Sequence, residues 1–290
     1  MTSDAQKQTA ESFGYQWHRR EGFETEGSRA RMRDWLFQKY GDVAKAPWFT
    51  GRMLDAGCGA ALSALELFGD ALNRIDYLGV DISSAFEVAE QRFRERGIKG
   101  RFMQGDITNL ALPKDHYDVI FSEGVLHHTN NTERALKAVA THLKPGGRFL
   151  FYVYRTKAPI REFVDDFIRG QLQGLSPEAA WEAMRPLTKL GIALGKLNVE
   201  IDVPEAVPML GIPAGKMNLQ RFFYWNICKA FYNEDMDFEG MNLVNFDWYS
   251  PANAHRQTPE QVRQWCAEAS LSVEREYLDE AGITIIARKL

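Results

Sequence analysis

A glycine turn, Gly57-Cys58-Gly59, follows a short apolar run, Met53–Asp55, and leads into a helical pattern over Ala60–Phe68. This order constrains the chain most. A strand passing through Gly-X-Gly into a helix presents bare backbone at its carboxyl end, where no Cβ blocks a ligand. The rhythm then repeats. Tyr77–Asp81 reads as a strand, Ala85–Arg96 as a helix closed by Gly97, Arg101–Gln104 as a strand and Tyr117–Ser122 as a fourth strand. Glu133–Leu143 reads as a helix, with Asn130 and Glu133 at capping-box spacing. Lys144-Pro145-Gly146-Gly147 breaks it before a fifth strand, Arg148–Tyr154. Such alternation predicts the α/β class: a doubly wound, mostly parallel sheet with helices on both faces.

The rhythm stops after residue 155 and returns near 257. Thr258, Pro259 and Gln261 form a helix start with cap, first-turn proline and capping-box partner. Leu271–Tyr277 and Ile283–Ala287 follow as strands six and seven. They are too close in sequence for a parallel crossover, so an antiparallel hairpin ends the sheet. Three segments are therefore expected: an N-terminal helical segment over 1–50, a core over 51–155 and 257–290, and a mainly helical insertion over 156–256. Within the insertion, Ile160, Phe163, Val164, Phe167 and Ile168 mark an amphipathic helix. Ser176 and Pro177 start another, Val203–Pro213 reads as irregular, and Leu219–Phe231 reads as an aromatic helix. Its Phe222, Phe223, Tyr224, Trp225, Phe231, Phe246, Trp248 and Tyr249 suit either an apolar or aromatic acceptor pocket under a lid or a homodimer interface.

Composition removes several classes. The formal charge is −4 with no basic stripe, so no nucleic-acid partner is expected. Arg29, Arg31 and Arg33 fall at helical spacing and read as a solvated face. No apolar run reaches the length of a membrane span. The three cysteines, Cys58, Cys228 and Cys266, are too far apart for a zinc site or a disulfide framework. No metal is expected, and a reducing cytoplasm is the expected compartment. Asp165-Asp166 and Glu234-Asp235 read as paired carboxylates facing water.

Two adenosine cofactors compete for the turn. A nicotinamide fold wants a third glycine, G-x-G-x-x-G, and here that position is Leu62. Asp55, just ahead of the glycines, suits a ligand with a positively charged amino group better than one with two phosphates. S-adenosylmethionine (SAM) is therefore favoured. Asp81, ending the second strand, can accept from ribose hydroxyls or cap the next helix. Asp106 after the third strand can accept from an adenine amino group, with Ile107 against the ring, or simply form a turn. Ser122–His128 would floor the pocket beside the reactive methyl.

The segments Leu54–Gly59, Val80–Ser83, Gln104–Ile107, Tyr117–Ser122, Val125–Thr129 and Leu143–Gly147 resemble, in order and spacing, the class I SAM-dependent methyltransferases, within them the bacterial type 11 set. The likeness covers about 50–154 by motif and 258–290 by topology. It implies that Asp55, Gly57, Cys58 and Gly59 hold the methionine portion, and that Asp81 binds the ribose with Ile82 against adenine. It further implies that Asp106 and Ile107 contact adenine and that Glu123 lies near the methionine end. Phe13–Trp17 is similar to a lead-in that folds over the cofactor in some members, which places Trp17 there. Ala60 and Ala61 depart from the more usual Gly or Thr. The insertion has no family-wide counterpart.

The expected chemistry is in-line transfer of the sulfonium methyl to a small-molecule acceptor on O, N, S or C. Transfer to tRNA or protein, or SAM binding without transfer, are the alternatives. The leaving group is neutral, so positioning carries much of the rate. Where the acceptor must lose a proton, His127 is the first candidate base, followed by His128. Tyr15, Tyr154, Tyr249 and His255 are further candidates.

Overall fold

The structure is a computed structural model describing residues 3–20 and 25–290, with side chains left aside for residues 17–20. It divides into two compact units, Met1–Arg155 with Asn253–Leu290, and Thr156–Ala252.

The first unit is built on a seven-stranded sheet. Strands β1 (Gly51–Ala56), β2 (Ile75–Asp81), β3 (Arg101–Gln104), β4 (Tyr117–Glu123) and β5 (Leu143–Tyr154) are parallel, in the order β3-β2-β1-β4-β5. The sheet closes with β9 (Gly282–Lys289), antiparallel to β5, and β8 (Leu271–Leu278) at the edge. The central strands are buried on both faces and read as continuous apolar runs. One face packs Leu54, Ile120, Leu136 and Phe149; the other packs Met53, Leu65, Tyr77 and Phe121. Strand order reverses between β1 and β4, so a crevice opens at the carboxyl ends of those strands, where open α/β sheets bind ligands.

Helix α3 (Leu62–Phe68) begins after the glycine turn, α4 (Ala85–Glu95) after β2 and α10 (Pro259–Glu268) on its Thr258/Gln261 capping box. Several expectations need correction. The cap of α5 (Thr132–Ala140) is Asn131, which accepts from Arg134 N, and not Asn130; Asn130 instead accepts from Ser3 and Asn253. The helix ends early, and Leu143–Gly147 belong to β5. The polar N-terminus forms α1 (Asp4–Arg20), and α2 (Glu26–Tyr40) follows. Arg31 of α2 is exposed, but Arg33 and Arg29, partly exposed, do more than face solvent: with Arg96 they converge on the buried Glu66 of α3, at 2.7, 3.9 and 3.2 Å.

The second unit contains α6 (Pro159–Leu172), α7 (Pro177–Leu197), α8 (Leu219–Asn226) and α9 (Phe238–Tyr249), with a two-stranded antiparallel ribbon of β6 (Glu200–Val203) and β7 (Gly215–Asn218). The ribbon strands flank Val203–Pro213, which between them is irregular apart from a single 3-10 turn at Pro208–Leu210, and the aromatic helix stops at Asn226. Helix α6 is inverted relative to its apolar pattern. Phe163 and Phe167 face solvent, while Arg161, Asp165 and Arg169 are buried. The inversion follows from pairing: Arg161 Nε donates to both oxygens of Asp165, which also accepts from Trp248 Nε1 and Tyr249 OH at 2.9 Å each. Charges so satisfied can be buried, so Asp165 does not face water. Among the described residues no helix is long and apolar enough to cross a membrane.

Candidate functional site

A cavity of about 850 Å³, counting the solvent at its mouth, lies at the β1/β4 crevice of the first unit. That is the size of a small-molecule pocket, roughly 300–1,000 Å³. Its floor is the glycine turn. Gly57 adopts φ +87° and Gly59 φ +48°, and a Cβ on Gly57 would lie 2.8 Å from Val125 Cβ and closer still to its methyl groups. Gly57 N and Cys58 N donate to Val80 O, and Gly59 N donates to Asp81 Oδ2, so the turn is tied to the end of β2.

Asp55, Gly57, Cys58, Gly59, Asp81, Ile82, Asp106, Ile107 and Glu123 all line this cavity. Asp81 is also engaged in the local turn: its Oδ1 accepts from Ser83 N and Oγ. Asp106 likewise forms a turn through Oδ1, accepting from Thr108 N and Oγ1, while Oδ2 accepts nothing among the described residues. The side chain of Trp17 lies outside the described residues. Burial pushes the Cys58 thiol well above its ordinary range, so it is a poor nucleophile.

Sequence reasoning missed the groups that hold these carboxylates. Tyr77 OH donates to Asp55 Oδ2 at 2.6 Å. Glu123 takes Lys39 Nζ at 3.3 Å and the Tyr40 hydroxyl. Lys39 is fully buried, 3.2 Å from the ring centroids of both Trp35 and Tyr152, and burial lowers it to about 8 despite Glu123. The periodicity of α2 marks its apolar face but cannot say that a lysine shares it. Gln6, Thr9 and Phe13 of α1 also line the cavity. Asn253 ties that helix down, its N–H donating to Thr9 Oγ1 and its amide to Gln6 Oε1.

Of the candidate bases, His127 is fully buried off the cavity wall, its ring 3.7 Å from that of Tyr154. The wall position belongs to His128, whose Nδ1 lies 2.6 Å from Asn253 O. His255 is exposed, and its backbone N–H donates to His127 O. Tyr15 is half-buried on α1. Tyr249 is buried within the second unit, bonded to Asp165 and to Lys229 N.

Among the described residues the cavity wall carries four carboxylates and no lysine or arginine. Such a wall repels a pyrophosphate and suits a ligand with cationic groups. Burial, opposed by the Tyr77 bond and aided by Asp81 and Glu123, lifts Asp55 to about 7. Its unfolded value is near 3.9, so the native state holds the proton more tightly. Stability without ligand therefore falls as pH rises from about 4 to about 7, by on the order of 4 kcal/mol from this group. Asp55→Asn should remove that component: its melting temperature should gain on the wild type between pH 5 and pH 8. A constant difference across that range would contradict this account of Asp55.

The family described as "Methyltransferase domain" matches residues 54–151. The uncharacterized methyltransferase YcgJ of Bacillus subtilis is 30% identical over 175 residues, 57% of this chain and 67% of YcgJ. The chain belongs to the class I SAM-dependent methyltransferases. A phthiotriol/phenolphthiotriol dimycocerosates methyltransferase of Mycobacterium leprae is 29% identical over 126 residues, 43% of this chain. The match spans only 46% of that relative's length. The solved YcgJ structure aligns with 90% of this chain and 98% of its own at 18% identity and TM-score 0.43. In this methyltransferase the matched region runs from β1 into β5 and so contains the glycine turn and all four wall carboxylates.

Proposed function

We propose that the cavity binds SAM and that the enzyme transfers its methyl group to a small-molecule acceptor. The observation that carries this reading is the wall itself: a glycine turn flanked by Asp55, Asp81, Asp106 and Glu123 with no lysine or arginine among the described residues. Asp55 and Glu123 would hold the cationic amino-acid end, Asp81 the ribose hydroxyls, and Asp106 Oδ2 with Ile82 and Ile107 the adenine. When bound, SAM supplies an electrophilic methyl on a neutral leaving group. The chain's own contribution is to orient that methyl and exclude water, an effect of roughly 7–11 kcal/mol where geometry is well held. Gln6, Thr9 and Phe13 of α1 cover the pocket and serve the second purpose. His128 is the wall residue placed to contact an acceptor, while His127 is given no proton-transfer role. A small acceptor is favoured over tRNA by the net charge of −4 and the absence of a basic stripe in the sequence.

Calorimetric titration of the full chain with SAM and with its demethylated product tests the reading. Both should bind at micromolar affinity. Hydrogen bonds to a carboxylate contribute about 1.5–3 kcal/mol each, so Asp81→Ala should weaken SAM about a hundredfold. Absence of SAM binding to folded protein, or an unchanged affinity in the variant, would overturn it.

A further inference from the structure

The second unit buries more positive than negative charge. Arg161, Arg169 and Lys229 are all nearly inaccessible, and Asp165 is the buried carboxylate beside them. Asp165 is consumed by Arg161, Trp248 and Tyr249, and Arg169 pairs with the exposed Asp166 at 2.9 Å. Lys229 is left over. It is 8% exposed, its Nζ sits 4.3 Å from the Trp248 ring centroid, and that Nζ makes no hydrogen bond or ion pair among the described residues. Two more cations share the same ring: Arg161 at 5.4 Å and Lys157 at 6.0 Å. Lys157 is half-buried, so the cluster reaches the surface of the unit.

Burying like charges together is unfavourable unless something compensates them. The groups facing the cluster are Glu162 and Asp165 from α6, Asp247 from α9, and the phenols of Tyr224 and Tyr249. Glu162 accepts from Lys157 N and offsets part of the Lys157 charge, and Asp165 is already filled by Arg161, Trp248 and Tyr249. Burial lowers Lys157 to about 7, reinforced by Arg161, and lowers Lys229 to about 8 in spite of Asp247. A bound anion would restore both.

We propose that Lys157, Arg161 and Lys229, gathered around the Trp248 ring, form an anion-binding site on the second unit for a small molecule bearing a carboxylate or phosphate. The ring supplies an apolar face for the body of such a molecule, and the two lysines supply the charge. That this molecule is the methyl acceptor rests on the reading of the cavity as a SAM site.

The test is calorimetric titration of the full chain at pH 7 and constant ionic strength with inorganic phosphate and, separately, benzoate. SAM is titrated in parallel. At least one anion should bind the wild type, and Lys229→Met and Lys157→Met should each weaken it tenfold or more while SAM affinity stays within twofold. Two variants are used because Lys229 is the more buried and its loss is the more prone to disturb folding. The anion that binds tells phosphate from carboxylate chemistry. Limited acetylation read by mass spectrometry gives a second measure: Lys157, the half-buried member that reaches the surface, should label in the free protein and be protected by the bound anion. Equal anion affinity in wild type and variants, or no anion binding by protein that binds SAM, would overturn the site. Anion binding without SAM binding would instead overturn the cofactor reading and leave the site standing.

Discussion

Asp165→Ala should destabilise the second unit by about 3–5 kcal/mol, the range for removing one partner of a buried ion pair. The loss is large because three donors are stranded at once: the Arg161 guanidinium, the Trp248 indole N–H and the Tyr249 hydroxyl. These come from α6 and α9, so the two helices lose a shared acceptor together with the charge that neutralises Arg161. Urea unfolding should show the loss, and amide exchange should localise it to α6 and α9. Removing both charges in Arg161→Met with Asp165→Leu should recover much of it, since a buried pair replaced by apolar side chains is often close to neutral. A single-variant effect below about 1 kcal/mol, the level of an exposed pair, would show that the pair is not buried in solution.

The second large effect is expected at Gly57→Ala. Two penalties coincide there. The φ of +87° is unfavourable for a residue with a Cβ, by about 1–2 kcal/mol, and the added methyl would overlap the Val125 side chain, by about 1–3 kcal/mol more. Gly57 and Val125 are both cavity wall, so any relief of the overlap moves the wall. SAM affinity should fall about a hundredfold, equivalent to about 2.7 kcal/mol. Gly69→Ala is the control: Gly69 also has positive φ, at +50°, but nothing lies within 4 Å of its added Cβ. It should cost about 1–3 kcal/mol and leave SAM affinity unchanged. Calorimetry on the two proteins separates backbone strain from closure of the pocket. Wild-type affinity in Gly57→Ala would remove the glycine turn from the site.

The sheet was legible because its signals are local. Strands such as Tyr117–Ser122 are buried on both faces at Val119–Phe121 and read there as an unbroken apolar run, and Thr258-Pro259-Glu260-Gln261 carries its capping box within four residues. The cavity residues were legible for a related reason: each follows directly from a strand end. Partnerships across the chain were not. Nothing near Lys39 announces Glu123, 84 positions on. Nothing near Arg33 announces Glu66. Helix α6 misled for the opposite reason: its apolar spacing is regular, but Asp165 finds Trp248 and Tyr249 about 80 positions downstream, and those bonds fix which face turns inward. Periodicity reports which stripe is apolar; it does not report which stripe is paired. His127 and His128 are adjacent in the chain, and no pattern distinguishes the one on the wall from the one behind it.

The strand ladder is interrupted at only one place by the long excursion through residues 156–252. The chain departs just past β5 and rejoins beside it, where Gln257 N–H donates to Tyr154 O and Arg155 bridges Gln257. Departure and return are thus stapled at adjoining backbone positions of one scaffold. A segment of another length or sequence could be grafted between those staples without shifting the register of β5 against β4 or β9. Evolution is then free to exchange the excursion as a cassette, while the strand ends that carry the four carboxylates stay as they are.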